Sequence, residues 1–169
     1  MLNLRCTQKL LKRLPTTVVE TPQPSTTLLG DWYANILFSK PQLILCVSER
    51  TLLPVVVQAK DIAAFPERLA VAVHELLTVL GVPSPLANQE RAEMQEVQFG
   101  RTINKRLLGS INEFMFHLDD DLRTDPTPSL LQRSLRLGEM PCGPIGFKFP
   151  TEVALELFAS GRAIAHGIH

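Results

Sequence analysis

Apolar and polar residues alternate from the start of the chain. Leu2, Leu4 and Cys6 are separated by Asn3 and Arg5, the two-residue period of a half-buried strand. Thr7 suits the cap of a short helix over 8–14, with Leu10, Leu11 and Leu14 on one face, and Pro15 stops it. Residues 15–28 hold three prolines and six serines or threonines and read as an exposed, mobile loop. Three strand patterns follow: Asp31 to Phe38, the almost wholly apolar Leu43 to Val47, and Leu52 to Val57. Short turns at 39–42 and 48–50 join them into an antiparallel meander. Pro54 cannot donate to a ladder, so the last of these strands belongs at an edge or a bulge.

The period then changes. Leu69, Val73, Leu76, Leu77 and Leu80 lie on one face of a helix running from Pro66 to Leu80, with Gly81 at its carboxyl cap. A second helix opens at Ser84-Pro85 and runs to about Met94, and Glu96 to Gly100 reads as a short strand. Leu107, Leu108, Ile111, Phe114, Met115, Leu118 and Leu122 form the stripe of a long helix over 105–122. A linker over 123–129 leads to a helix over 130–137, a Gly/Pro-rich loop over 138–146 and a helix from about Thr151 to Ser160. The pattern predicts an α+β fold with a mainly antiparallel sheet. An N-terminal strand, the three-stranded meander and the short strand near 96–100 build that sheet, and helices cover it. Residues 1–123 are expected to form the core domain and 124–169 a C-terminal linker and helical appendage.

A chain of 169 residues suits one domain with a sizeable core. Seventeen basic residues balance seventeen acidic ones, which excludes charge-driven disorder and a polybasic, histone-like protein. The balance is uneven along the chain: residues 1–60 carry seven bases against three acids, and 61–100 carry six acids against two bases. That asymmetry predicts a cationic strand side and an anionic helical side, suited to self-association or an oriented partner. Cys6, Cys46 and Cys142 are far apart and lack metal-ligand spacing, so neither disulfides nor zinc is expected. Cys142, in the Gly/Pro-rich loop, is the one thiol whose reactivity merits testing. No apolar run is long enough to span a bilayer, and the expected setting is cytoplasmic, with no membrane contact.

Candidate chemistry concentrates in Gly100-Arg-Thr-Ile-Asn-Lys-Arg106, which leaves a strand and opens a helix. Free backbone amides and the helix dipole favour anions there, and Arg101, Thr102, Lys105 and Arg106 crowd the turn while Asn104 caps the helix. The turn lacks the second glycine and the Ser or Thr of a nucleotide-binding phosphate loop. With Arg50, these five residues form the candidate anion- or nucleic-acid-binding set. Trp32 and Tyr33, the only Trp and Tyr, stand side by side on a strand, so one is expected in the core and the other at the surface. The exposed ring, with Asn35 on the face of Tyr33, could stack a base or anchor a partner. Glu113, His117 and Asp121 share a helix face, but Asp119 and Asp120 beside them look solvated, and no metal is expected. No catalytic motif is present, so catalytic residues are unknown and no cofactor is expected.

Four segments carry a resemblance: Leu2 to Leu11, Gly30 to Leu37, the strand pair through Glu49-Arg-Thr-Leu-Leu-Pro54, and Leu107 to Phe114. Together they resemble a small bacterial protein family known as domain of unknown function 6933, over about residues 1–122. The resemblance implies a bacterial, stand-alone, cytoplasmic protein and brings no activity or catalytic residue. The leading expectation is a non-enzymatic macromolecule-binding module, with a protein partner or self-association first and nucleic acid second. The alternative is a small nuclease or hydrolase whose site is assembled only in the fold, as a concave pocket holding Glu49, Arg50 or the 101–106 turn beside a carboxylate or histidine. A third reading is an oligomeric structural protein docking through its C-terminal helices.

Overall fold

The computed structural model describes the backbone of residues 1–167 and the side chains of residues 1–161. Five strands, β1 (Leu2–Cys6), β2 (Trp32–Leu37), β3 (Leu43–Ser48), β4 (Pro54–Gln58) and β5 (Val97–Arg101), form one sheet in the order β4-β3-β2-β1-β5. The meander β2-β3-β4 is antiparallel. The class is α+β, but the sheet is mixed: β1 lies between β2 and β5 and runs parallel to both. Parallel neighbours need long crossovers, and the chain supplies them, from Thr7 to Asp31 between β1 and β2, and through two helices before β5. Alternation within β1 was legible in the sequence; its direction depended on connections whose path no local pattern encodes.

Helices α1 (Gln8–Leu11), α2 (Phe65–Leu80), α3 (Ser84–Glu93), α4 (Lys105–Thr124), α5 (Leu130–Gly138) and α6 (Pro150–Gly167) cover both faces. On one face Leu4, Cys6, Trp32, Ala34, Ile44 and Val55 pack with Leu10 of α1, Leu69, Val73 and Leu76 of α2, Ala87 of α3, and Ala154 and Phe158 of α6. On the other, Tyr33, Leu45, Val47 and Val56 meet Leu107, Ile111, Phe114 and Leu118 of α4 and Leu137 of α5. The stripe read for the long helix is the buried one.

Residues beyond Arg123, expected to form an appendage, are built into this core. Ser134 Oγ accepts from the Val56 amide on the outer edge of β4 at 3.0 Å, which covers the strand edge that Pro54 begins. Gly138 is buried, and a Cβ there would lie 2.8 Å from Thr151 Cγ2, so a side chain at that position would displace the Thr151 methyl where α5 meets α6. Arg133, 2% exposed, ties α5 to α4: Nη1 donates to Asp121 Oδ2 at 2.6 Å and Nη2 to the Asp125 carbonyl at 2.7 Å.

The loop over 15–28 is also not free. Val18 bridges Phe99 in parallel, the Val19 amide donates to the Phe99 carbonyl at 2.8 Å, and Ser25 Oγ accepts from the Asn3 amide at 2.9 Å. The Gln23 carbonyl accepts from Asn3 Nδ2, and the Gln23 amide donates to Gln98 Oε1 at 3.1 Å, so the loop engages the polar second face of β1 and β5, a role that composition alone does not reveal.

Candidate functional site

β1, β2, β4 and β5 all point the same way, and β3 opposes them. The chain leaving their carboxyl ends carries Lys9, Lys12 and Arg13 after β1, Lys40 after β2, Lys60 after β4, and Arg101, Lys105 and Arg106 at and after β5. All eight are exposed. Among the described residues one acid pairs with them, Glu20, 3.8 Å from Arg101, while Asp61, next to Lys60, lies 4.0 Å from Arg68. Across five strands this cationic rim is about 19 Å wide, at about 4.8 Å per strand. The amino ends of the same strands and the turn after β3 carry Asp31, Glu49, Glu93 and Glu96 against Arg50 and the Met1 ammonium, which lies 3.4 Å from Glu93. The charge asymmetry thus separates the two ends of the sheet, rather than its strand side from its helical side, and a net charge of zero conceals it.

The chain leaves β1 toward the face covered by α1 and leaves β5 toward the face covered by α4, so the rim includes a point where neighbouring parallel strands send their connections to opposite faces. Crevices outside carboxyl strand ends at such points are where open sheets bind ligands. α4 opens there. Asn104 caps it as expected, its Oδ1 accepting from the Leu107 amide at 3.1 Å. Arg101, Lys105 and Arg106 are exposed around that turn, and Thr102 is half-buried. Arg5 fixes the turn from beneath: Nη1 donates to the Arg101 carbonyl at 3.1 Å, and Nε to Asp31 Oδ2 at 2.8 Å. Asp31 is held in turn by Ser25 Oγ at 2.6 Å and Asn3 Nδ2 at 3.2 Å.

Arg50 does not join this set. It follows the carboxyl end of β3, at the opposite end of the sheet, and its Nη1 donates to the Leu28 carbonyl at 3.1 Å. There it lines a cavity of about 350 Å³ with Glu90 and Glu93. Its aliphatic stem lies against Gly30, whose φ of +80° and whose Cβ position 3.1 Å from Arg50 Cγ leave room for glycine alone. Glu49 shares that turn, and Arg50 stands in this pocket beside two carboxylates, apart from the 101–106 turn.

Trp32 and Tyr33 are both fully buried, on opposite faces, because helices cover both sides of β2. Neither ring is a surface contact. Among the described residues neither the Tyr33 hydroxyl nor the Trp32 Nε1 makes a well-aligned hydrogen bond. Burial pushes the Tyr33 phenol above its ordinary pKa and the Glu49 carboxylate adds to this, while Arg5 and the nearby backbone amides of Asn104 and Ile103 act against it. Tyr33 therefore supports the first turn of α4 from below. Asn35 is buried as well, and its Oδ1 accepts from Thr7 Oγ1 at 2.7 Å and from the Ile36 amide at 2.9 Å.

The exposed aromatic of β2 is Phe38, just past its carboxyl end and 55% exposed, with the Arg13 guanidinium 6.0 Å from the ring centroid. Sequence reading missed Phe38, although the Phe-Ser-Lys-Pro turn carried the signal of an aromatic at a strand end beside a base. Asp121 is engaged by Arg133 and by Arg136 Nη1 at 2.9 Å, so it is an ion-pair hub rather than a ligand in waiting. Among the described residues no group of three His, Cys, Asp or Glu is placed to hold a metal. Among the described residues no helix is long and apolar enough to cross a membrane. Cys142 is buried, its thiol raised by burial and by Glu113.

No curated protein and no solved structure matches the chain. A family model described as Domain of unknown function (DUF6933) matches residues 3–153, taking in α4, α5 and the start of α6 as well as the sheet. The match reaches past the segment over which the sequence resemblance extends, and the chain belongs to the DUF6933 family.

Proposed function

We propose that this protein is a binding module rather than an enzyme, and that it engages an anionic macromolecule through the cationic rim at the carboxyl ends of β1, β2, β4 and β5. One observation carries the reading: four co-directional strands deliver eight exposed bases to one end of the sheet, of which Arg101 pairs with Glu20. Exposed ion pairs add little to fold stability, so folding does not account for such a concentration, whereas a field of one sign raises the local concentration and arrival rate of a polyanion. Arg101, Thr102, Asn104, Lys105 and Arg106 stand at one margin of this surface, and Arg50 lies outside it.

Heparin chromatography tests the reading. The protein should be retained at low salt, and Lys40→Glu with Lys60→Glu and Arg106→Glu should elute at markedly lower salt. Arg91→Glu, an exposed base on α3 away from the rim, should leave elution nearly unchanged. Passage through the column at low salt, or an equal effect from Arg91→Glu, would overturn it. The acidic opposite end favours a second reading, head-to-tail self-association of rim against Glu49, Glu93 and Glu96. It predicts a solution mass that falls toward the monomer as salt is added.

A further inference from the structure

The rim has a feature that charge alone does not require. At its centre, where β2 ends, Phe38 presents more than half of its surface to solvent beneath the Arg13 guanidinium, with Lys40 two residues on. Beside it Arg13, Gln42, Gln58, Lys60 and Ile62 line a cavity of about 450 Å³, within the range of small-ligand sites. Arg13 Nη2 donates to Gln42 Oε1 at 3.2 Å, which holds the guanidinium over this opening. The one carboxylate lining it, Asp61, is turned largely to solvent, its side chain 78% exposed and 4.0 Å from Arg68. Other exposed rings lie elsewhere: Phe116 packs edge-on against His117 on α4, near Asp119 and Asp120, and Phe147 follows Gly146 in the C-terminal loop. Lys148, between the exposed Phe147 and Phe149, is paired with Glu156 at 3.2 Å, whereas Phe38 stands by Arg13 and Lys40 on the rim.

Resting on the rim reading above, we infer that the anionic partner is single-stranded nucleic acid, with an unpaired base stacked on Phe38 beside the Arg13–Lys60 cavity and the neighbouring phosphates on the rim bases. Aromatic platforms flanked by cations hold single strands without reading sequence, because every base has a π face. A duplex hides those faces. Each phosphate of a single strand held by a rim base adds roughly −0.7 to the slope of log affinity against log salt.

Fluorescence anisotropy with labelled oligothymidylate, a duplex of equal charge, heparin and polyglutamate tests the inference. Oligothymidylate should bind more tightly than the duplex. Phe38→Ala should weaken it about tenfold and leave heparin binding unchanged, and Phe38→Trp should retain it. Lys40→Ala with Lys60→Ala should flatten the salt slope by about 1.4. Phe38 is exposed at a strand end, so its variants keep the fold, which circular dichroism checks. Equal binding of duplex and single strand, or no effect of Phe38→Ala, overturns the inference and leaves the rim reading standing. Tighter binding to polyglutamate than to oligothymidylate overturns it in favour of an acidic protein partner. Failure of oligothymidylate and heparin alike, at low salt, overturns both readings.

Discussion

Arg133→Ala is the most informative perturbation of the fold. The guanidinium is almost wholly buried and makes two short charge-assisted hydrogen bonds, to Asp121 Oδ2 at 2.6 Å and to the Asp125 carbonyl at 2.7 Å. Removing one partner of a buried pair costs about 3–5 kcal/mol when the other charge is stranded. Asp121 would not be fully stranded. Its side chain is 29% exposed and keeps Arg136 Nη1 at 2.9 Å, so that loss falls to roughly 1–2 kcal/mol. The Asp125 carbonyl loses its buried donor, at about 1 kcal/mol or more, and the buried stem leaves a void. Together the loss is about 3 kcal/mol, which lowers the melting temperature of a chain this long by roughly 6–12 °C. Urea denaturation followed by far-ultraviolet circular dichroism and by Trp32 fluorescence measures it. Both probes should shift together, since Trp32 on β2 and Arg133 on α5 belong to one cooperative unit. Arg123→Ala, whose partner Asp119 lies one turn away on the surface, serves as the control and should cost at most about 0.5 kcal/mol. A loss below about 1 kcal/mol for Arg133→Ala, or a Trp32 transition that does not move, would refute the placement of α5 in the core.

Two further expectations follow from buried titratable groups. Glu90 is buried, and burial raises its carboxyl above the ordinary value against the opposing pull of the Leu29 and Leu28 amides, which donate to it at 2.9 and 2.7 Å. The native state therefore holds this proton to higher pH than the unfolded chain. The group's stabilising contribution is complete below the unfolded carboxylate value and is lost as pH rises through the raised native one. Glu90→Gln should flatten that segment of the stability–pH curve in urea titrations, and an unchanged curve would count against it. Cys6 is pushed up to about 12 by burial, and Cys46 is raised well above its ordinary value by the same cause. Neither should react with a thiol reagent at pH 8 until urea unfolds the chain, whereas rapid native-state labelling of either would contradict their packing.

The sequence showed those features that a local period or a cap encodes. The stripe from Leu107 to Leu122, the face from Leu69 to Leu80, Gly81 after its helix, Asn104 before the next, and Pro54 on an edge strand all stand where the pattern put them. What failed depended on contacts distant in sequence. One strand face was assigned to solvent for Trp32 or Tyr33, but α4 covers it. The hydroxyl-rich stretch 15–28 read as mobile, yet Asn3, Gln98 and Phe99 give it partners. The candidate site divided in the same way. The 101–106 turn was visible because its residues are consecutive. The rim was not, because Lys9, Lys40, Lys60 and Arg101 come from four connections that meet only once strand directions are fixed. Arg50 was grouped with them by charge and belongs to the other end for the same reason.

The cationic rim is tested most directly by backbone amide chemical shifts during titration with a heparin oligosaccharide at low salt. The account predicts that shifts concentrate at residues 9–13, 38–42, 59–60 and 101–106 and fade as salt is added, while residues 49–50 and 90–96 stay still. Shifts centred on that opposite end, or none along the rim, would contradict it.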